Sequence, residues 1–379
     1  MNLMAVICEY NPFHKGHEYQ LKSQKDRLSA DGVICLMSGH FVQRGAPAVY
    51  DKWTRAKAAV LSGADLVLEL PVVYSAQSAK RFSFGAVSLL NALGCVNVLS
   101  FGSECDNLSQ LQQTKDLVFS KEFLSLVADE MKQGISFPAA RSNVLKNHFP
   151  TFEAVQLDSP NNILALEYLR SLDELQSSIE PTTLHRDARF ASASAIRKKM
   201  MCGQSVEGLV PASAQLGTMH YSQQAFDQLA AYQLRKETPE SLWKIADVAE
   251  GLEHRILKYA KTCFSANDLA ERVKTKRYTR TRIDRIIVNT LLGIMDCDTE
   301  LPPQYARVLA FNQRGTKILN KMKDTSQIPV ITKMADATPT NPDFAHMLEK
   351  DLLATDIYAL LTEHKSAGKD FTISPIYIK

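Results

Sequence analysis

Nothing in this 379-residue sequence approaches the ~18 uncharged apolar residues in a row that a membrane-spanning helix requires. The N-terminus reads as a core strand rather than a signal peptide, so no membrane attachment is expected. Cysteine is scarce and scattered. Cys8, Cys35, Cys95, Cys105, Cys202, Cys263 and Cys297 make an odd count of seven with no C-x-x-C pair. That spacing argues against a zinc or iron–sulfur site and for reduced thiols in a cytoplasmic protein. No metal-ligand set is visible. Excess charge of one sign is lacking too: the net charge is only +3, so affinity for a polyanion has to come from local clustering. Internal repeats and low-complexity segments are absent.

What is present is ordinary globular composition, 45% hydrophobic and 22% charged. Single cores stop growing near ~250–300 residues, so two domains are expected, 1–209 and 210–379. The first alternates strand and helix. Leu3–Cys8 is a short apolar run of buried-strand type, and a helix is predicted near His17–Ser29. Gly32–Met37 is a second strand, Lys52–Ser62 a helix, Asp65–Leu70 a third strand, Ser75–Leu93 a helix and Cys95–Phe101 a fourth strand. Such alternation predicts a doubly wound, Rossmann-like parallel sheet of the α/β class. From Val210-Pro211 onward the spacing turns helical, over Ala225–Leu234, Ser241–Val248, Leu252–Phe264, Asp268–Arg272 and Thr281–Leu292. Pro302–Lys323 reads as one or two helices, Ile328–Thr332 as a short strand, His346–Thr362 as a helix and Phe371–Lys379 as an edge strand.

In a doubly wound sheet the ligand lies beyond the carboxyl ends of the strands. Three polar turns fall there: Glu9–His17, Ser38–Gly45 and Gly102–Asp106. The first carries His14 and His17, three apart around Gly16, at a helix start. Free backbone N–H groups, the helix dipole and two imidazoles at one mouth make an anion site. The second carries His40, Gln43 and Arg44 between two glycines, with Arg44 available to a carboxylate or phosphate. Lys52 and Arg55 read equally well as surface charges of a helix start or as functional cations. In Ser192-Ala193-Ser194-Ala195-Ile196-Arg197, hydroxyls stand at another helix start with an arginine one turn in, a second anion cradle. Ser159-Pro160-Asn161-Asn162 marks a further helix start, with Ser159 at N-cap and Pro160 at N1. Arg272–Arg285 holds Arg272, Lys274, Lys276, Arg277, Arg280, Arg282 and Arg285 against one acid, Asp284, with Tyr278 in the middle. Read as a nucleic-acid contact, its cations follow a phosphate backbone while Tyr278 stacks on a base. A solvated charge run is the plainer reading of such a cluster.

His14-x-Gly16-His17 after a strand resembles the signature of the HxGH nucleotidyltransferase superfamily. ICEYNPFHKGH, MSGHFVQRG, DKWTRAKAAVLSGADLVLELPVVYSAQSAKRFSFGAVSLLNALG, LSFGSE, SPNNILALEYL, SASAIR and VKTKRYTRTRIDR together resemble the bacterial tRNA(Met) cytidine acetate ligase family within it. The resemblance implies a nucleotidyltransferase domain followed by a mainly helical tRNA-binding domain. It implies an enzyme that uses ATP, with Mg²⁺ expected alongside, to activate acetate as acetyl-adenylate. The acetyl group then passes to N4 of the wobble cytidine of elongator tRNA(Met), giving N4-acetylcytidine. No protein partner is implied. The positions matching ATP contacts are Ile7, Cys8, Glu9, Tyr10, Asn11, Pro12, Phe13, His14, Lys15, Gly16, His17, Glu18, Tyr19 and Gln20, with Gly102, Asn162 and Arg186. Catalytic roles fall to His14, His17, Arg44, Ser194 and Arg197. RNA contact falls to Lys274, Lys276, Arg277, Tyr278, Arg280, Arg282 and Arg285. Between Arg186 and Ser192 the chain reads DARFA, shorter than the family's usual stretch, which implies an altered pocket wall. Two other functions compete: a small-molecule nucleotidyltransferase, and an RNA-binding protein without catalysis.

Overall fold

Strands covered on both faces need continuous apolar runs, and those runs are where the sheet forms. The computed structural model describes residues 1–379 except 188, 215–220, 250 and 364. In chain order the first half gives β1 (Leu3–Cys8), α1 (Lys15–Arg27), β2 (Gly32–Ser38), α2 (Lys52–Leu61), β3 (Leu66–Leu70), α3 (Ala79–Ala92) and β4 (Val98–Ser103). Three short helices follow, then α4 (Pro160–Glu174), β5 (Glu180–His185) and α5 (Ala193–Met201). The strands β3, β2, β1, β4 and β5 lie side by side in that order, all parallel. Going from β1, the chain steps one way to β2 and β3, then the other way to β4 and β5. The reversal lies between β1 and β4, which puts the ligand crevice at their carboxyl ends.

Alternate strand residues face opposite layers. Leu3, Ala5, Ile34, Leu36, Leu66 and Leu68 pack under α3 and α4, while Met4, Val6, Val33, Cys35 and Val67 pack under α1 and α2. The second half is helical over α6 (Gln223–Lys236), α7 (Leu252–Ala260), α8 (Ala266–Val273) and α9 (Arg280–Leu292). It then returns to the sheet: of Pro302–Lys323, expected as one or two helices, the part from Gln313 is helical and Ala306–Asn312 is a strand instead. Ala306–Asn312 is β6, antiparallel to β3, followed by α10 (Gln313–Thr325), β7 (Val330–Ile331), α11 (Pro342–Leu360) and β8 (Ile376–Ile378). β7 and β8 pair in parallel with β6. A cut at residue 210 therefore does not separate sheet from helices: one eight-stranded sheet draws strands from both ends of the chain. Without β6, the hydrophobic edge of β3 would stand open to pairing.

Buried charge ties these two ends together, and it corrects the surface reading of Lys52 and Arg55. Lys52 is fully buried, 2.8 Å from Glu69 and 2.9 Å from Asp370. Arg307 on β6 completes the square, 3.1 Å from Glu69 and 2.7 Å from Asp370. Arg55, also buried, donates to the carbonyls of Glu9, Ser38, Gly39 and Tyr50, and so fixes two of the crevice turns. Two buried cations balance two buried carboxylates, so removing one leaves a buried charge uncompensated. Lys52→Met should lower the unfolding free energy by about 3–5 kcal/mol, seen as a reduced urea midpoint at constant slope. A loss no larger than that of an ordinary surface substitution would show that Arg307 alone neutralises both acids.

Candidate active site

The turn after β1 builds the site around one helix end. Tyr10 takes a left-handed φ of 49°, and its buried ring packs 4.7 Å from Phe13 and 4.9 Å from His17. His14 is the N-cap of α1 and His17 its third residue. The Gly16 N–H donates to His14 Nδ1 at 3.1 Å, and the His14 N–H donates to His17 Nδ1 at 3.3 Å. Each imidazole thus spends Nδ1 as an acceptor for an otherwise unpaired helix N–H. A neutral ring that accepts at Nδ1 carries its proton at Nε2. Both rings are therefore held as Nε2–H donors, stacked 3.6 Å apart on the cavity wall.

Their charge state follows from burial. Desolvation, reinforced by the Arg186 guanidinium, lowers His14 to about 4. Desolvation, then His14 and Arg186, holds His17 well below its ordinary value. Near neutrality the pair offers two N–H donors and no positive charge. Gly16 keeps this corner close-packed, since a Cβ there would stand 3.0 Å from His14 Cε1 and 3.2 Å from Phe190 Cβ, tighter than ordinary contact.

The cavity has a volume of about 730 Å³, within the range that holds a nucleotide-sized ligand. The three polar turns meet around it. Ile7, Cys8, Glu9, Tyr10, Asn11, His14, Gly16, His17, Tyr19 and Gln20 line it, as do Gly102, Arg186, Arg44, Ser194 and Arg197. Arg44 is carried there by its loop, where Gln43 N–H donates to Glu9 Oε1 at 2.8 Å. Gly45 follows with φ 76°, and a Cβ there would lie 2.3 Å from the Arg285 nitrogen. Ser192 caps α5 by accepting from Ala195 N–H at 3.2 Å. Arg197 donates to Ser194 Oγ at 3.0 Å and to the Asn11 carbonyl at 2.7 Å, so it braces the histidine turn from across the cavity.

Other expected positions fall elsewhere. Pro12 and Phe13 are buried behind the turn, Lys15 points to solvent, and Glu18 pairs with Lys22 at 2.7 Å. Asn162 is buried. Its Oδ1 accepts from Glu104 and Cys105 N–H at 3.0 and 3.3 Å, and its Nδ2 donates to Gln156 O at 3.2 Å. Its amide is spent joining the β4 loop to α4, and its neighbour Asn161 lines the cavity instead. Ser159 stands at the N-cap of α4 without a side-chain cap bond; Glu104 accepts from Asn162 N–H at 3.0 Å in its place. Gly102 stays open, with one backbone oxygen 3.9 Å from where a Cβ would be.

The basic segment is less free than its sequence suggests. Tyr278 is buried, with Arg277 and Arg282 over its ring at 5.8 and 5.7 Å, so it is not exposed to stack on a base. Arg280 pairs with Asp284 and Glu271, both at 2.8 Å, and Lys274 lies 2.5 Å from Glu271. Arg272 pairs with Asp268 at 2.9 Å, and Arg282 donates to the Asp247 carbonyl at 2.9 Å. Arg285 pairs with Asp247 at 2.5 Å and, with Thr281, lines the cavity. Lys276 and Arg277 are exposed. Sequence reasoning missed Thr281, and it missed Phe190, whose ring lies 5.4 Å from that of Tyr19 at the cavity wall. No periodicity announces a ring that closes a pocket from a loop.

A triphosphate beside the imidazoles favours their charged forms, so binding raises the pKa of His14 from about 4 toward its ordinary 6.5. Between those values, binding takes up protons, and affinity rises as pH falls. Calorimetry in buffers of different ionisation enthalpy should find greater uptake for the native chain than for His14→Asn, which keeps an N-cap. Equal uptake would place the phosphates away from the pair.

Comparison with known proteins agrees with this geometry. The family model described as HIGH Nucleotidyl Transferase matches residues 1–371. The tRNA(Met) cytidine acetate ligase of Clostridium perfringens is 38% identical over the whole of both chains. That of Thermoanaerobacter pseudethanolicus is also 38% identical, over 98% of each. The crystal structure of Thermotoga maritima TmcAL bound with alpha-thio ATP is similar, with a TM-score of 0.92 and 33% identity, covering 100% of this chain and 99% of that one. A strand-turn-helix with paired imidazoles at its mouth, matched end to end by these relatives, places the chain in the HIGH nucleotidyl transferases and, within them, in the tRNA(Met) cytidine acetate ligase family.

Proposed function

We propose that this chain joins acetate to a tRNA cytidine at the expense of ATP, in the cytoplasm. A carboxylate oxygen of acetate attacks the α-phosphorus of ATP, the bond to pyrophosphate breaks, and acetyl-adenylate forms. N4 of the wobble cytidine of elongator tRNA(Met) then attacks the acetyl carbon. AMP leaves, and the amine gives up a proton.

The observation that carries this reading is the pair of Nε2–H donors locked on one wall of the cavity. Both reactants of the first step are anions, and negative charge grows on the departing pyrophosphate. Fixed donors aimed at that charge lower the barrier without reorganising. His14 and His17 face the phosphates, with the dipole of α1 behind them. Ser194 and Arg197 hold the far phosphates at the start of α5, and Arg44 draws the carboxylate in by charge. Arg186, partly exposed and 3.7 Å from Glu104, supplies a further cation at the rim. Tyr19 and Phe190 offer ring faces to the adenine.

Among the described residues no three of His, Cys, Asp or Glu converge to hold a metal. Mg²⁺ would therefore enter on the triphosphate, held by phosphate oxygens and water, and would neutralise charge there. Of the exposed cations in the 272–285 segment, Arg272 and Lys274 pair with Asp268 and Glu271, and Lys276 and Arg277 are the ones assigned to tRNA. Lys274, Arg280, Arg282 and Arg285 would serve chiefly to shape the segment, and Tyr278 to hold it together.

Incubation with ATP, labelled acetate and tRNA, followed by nucleoside analysis, should place label on cytidine. His17→Ala should reduce acetate-dependent pyrophosphate exchange by at least about 100-fold and leave tRNA affinity within about two-fold. Equal loss of both would mark His17 as structural.

A further inference from the structure

Away from the ATP cavity, the helical part carries two aromatic rings that no packing requirement explains. Phe264 is 73% exposed and Tyr232 62% exposed, and both line a cavity of about 690 Å³ between α6 and the end of α7. Each ring sits beside a cation. Arg235 lies 4.7 Å from the centre of Phe264, and Lys236 lies 5.2 Å from that of Tyr232.

The Arg235 guanidinium is held by two backbone carbonyls. It donates to the Ala260 carbonyl at 3.2 Å and to the Cys263 carbonyl at 3.0 Å, at the end of α7. Phe264 therefore rests on a fixed flat base and presents its opposite face outward. Among the described residues, one acid lines this cavity, Asp227. Its Oδ1 accepts from Ala266 N–H and from Gln223 Nε2, both at 3.0 Å, which ties that oxygen to the protein. Gln224 and Gln228 complete the wall with amides that can both donate and accept.

We infer that this cavity is a second nucleotide site, which stacks an unpaired base of the tRNA between or upon Tyr232 and Phe264 while Lys236 meets the adjoining phosphate. It rests on the reading of tRNA as the substrate. The chemistry is that of single-strand RNA recognition: aromatic faces for stacking, cations for the backbone and amides for base edges. A protein partner would fit the exposed rings but would leave the adjoining cations without a purpose. The position is suitable too, because α6 packs against α9, whose Thr281 and Arg285 line the ATP cavity. A tRNA held here reaches the reacting site across one helical layer.

The test compares the full-length chain with Tyr232→Ala/Phe264→Ala and with Phe264→Trp, using an elongator tRNA(Met) transcript. Absence of acetylation by the native chain would defeat the substrate reading and this inference with it. If the native chain acetylates, the double variant should raise the KM for tRNA by on the order of 10-fold or more, with kcat and the KM for ATP little changed. Phe264→Trp should retain near-native KM, since it keeps a stacking face. An unchanged KM for tRNA in the double variant would overturn the inference and leave the rings to another partner. A fall in kcat, with KM for tRNA unmoved, would overturn it as well.

Discussion

The structure turns on a reciprocal cap. Two histidines close the first turn of α1 by accepting its backbone N–H groups through Nδ1. That contact does two things at once. It satisfies donors that a helix start otherwise leaves open, and it commits the remaining proton of each ring to Nε2. Because both rings are largely desolvated and near a guanidinium, they stay uncharged. A fold that needs a helix cap has thereby acquired a matched pair of anion-facing donors, with orientation fixed before any ligand arrives.

The rest of the molecule protects that geometry. Arg55 ties the Glu9 and Ser38–Gly39 carbonyls together from below, and Arg197 braces Asn11 from across the cavity. Gly45 lets the Arg44 loop settle against α9, so the helical part closes one wall of the site rather than standing apart from it. The buried square of Lys52, Glu69, Arg307 and Asp370 welds the last strands to the first. The sheet that supports the chemistry is completed only when the C-terminal segment has returned.

Much of this was legible in the residues alone. The parallel sheet followed from Leu3–Cys8, Gly32–Met37 and Asp65–Leu70 because strands covered on both faces call for largely apolar runs. The histidine turn was legible because strand, glycine and helix start occur together. Other features depended on partners far along the chain. Lys52 read equally well as a surface charge or a functional cation, because its partners Glu69 and Asp370 lie far from it in sequence. Arg307 interrupted an apolar run and hid a strand for the same reason. Tyr278 looked available because its neighbours are charged, yet Arg277 and Arg282 fold over it. Asn162 matched a ligand position while its amide serves a loop. Spacing reports which face a residue occupies; it does not report which distant group comes to meet it.

The central claim is a statement about one proton on each of two rings, and nitrogen-15 NMR of the histidine-labelled chain reads it directly. The account requires His14 and His17 near neutral pH to be neutral with the proton on Nε2, and a nucleotide to perturb the Nε2 resonances first. Rings protonated at Nδ1, or doubly protonated at that pH, would contradict it.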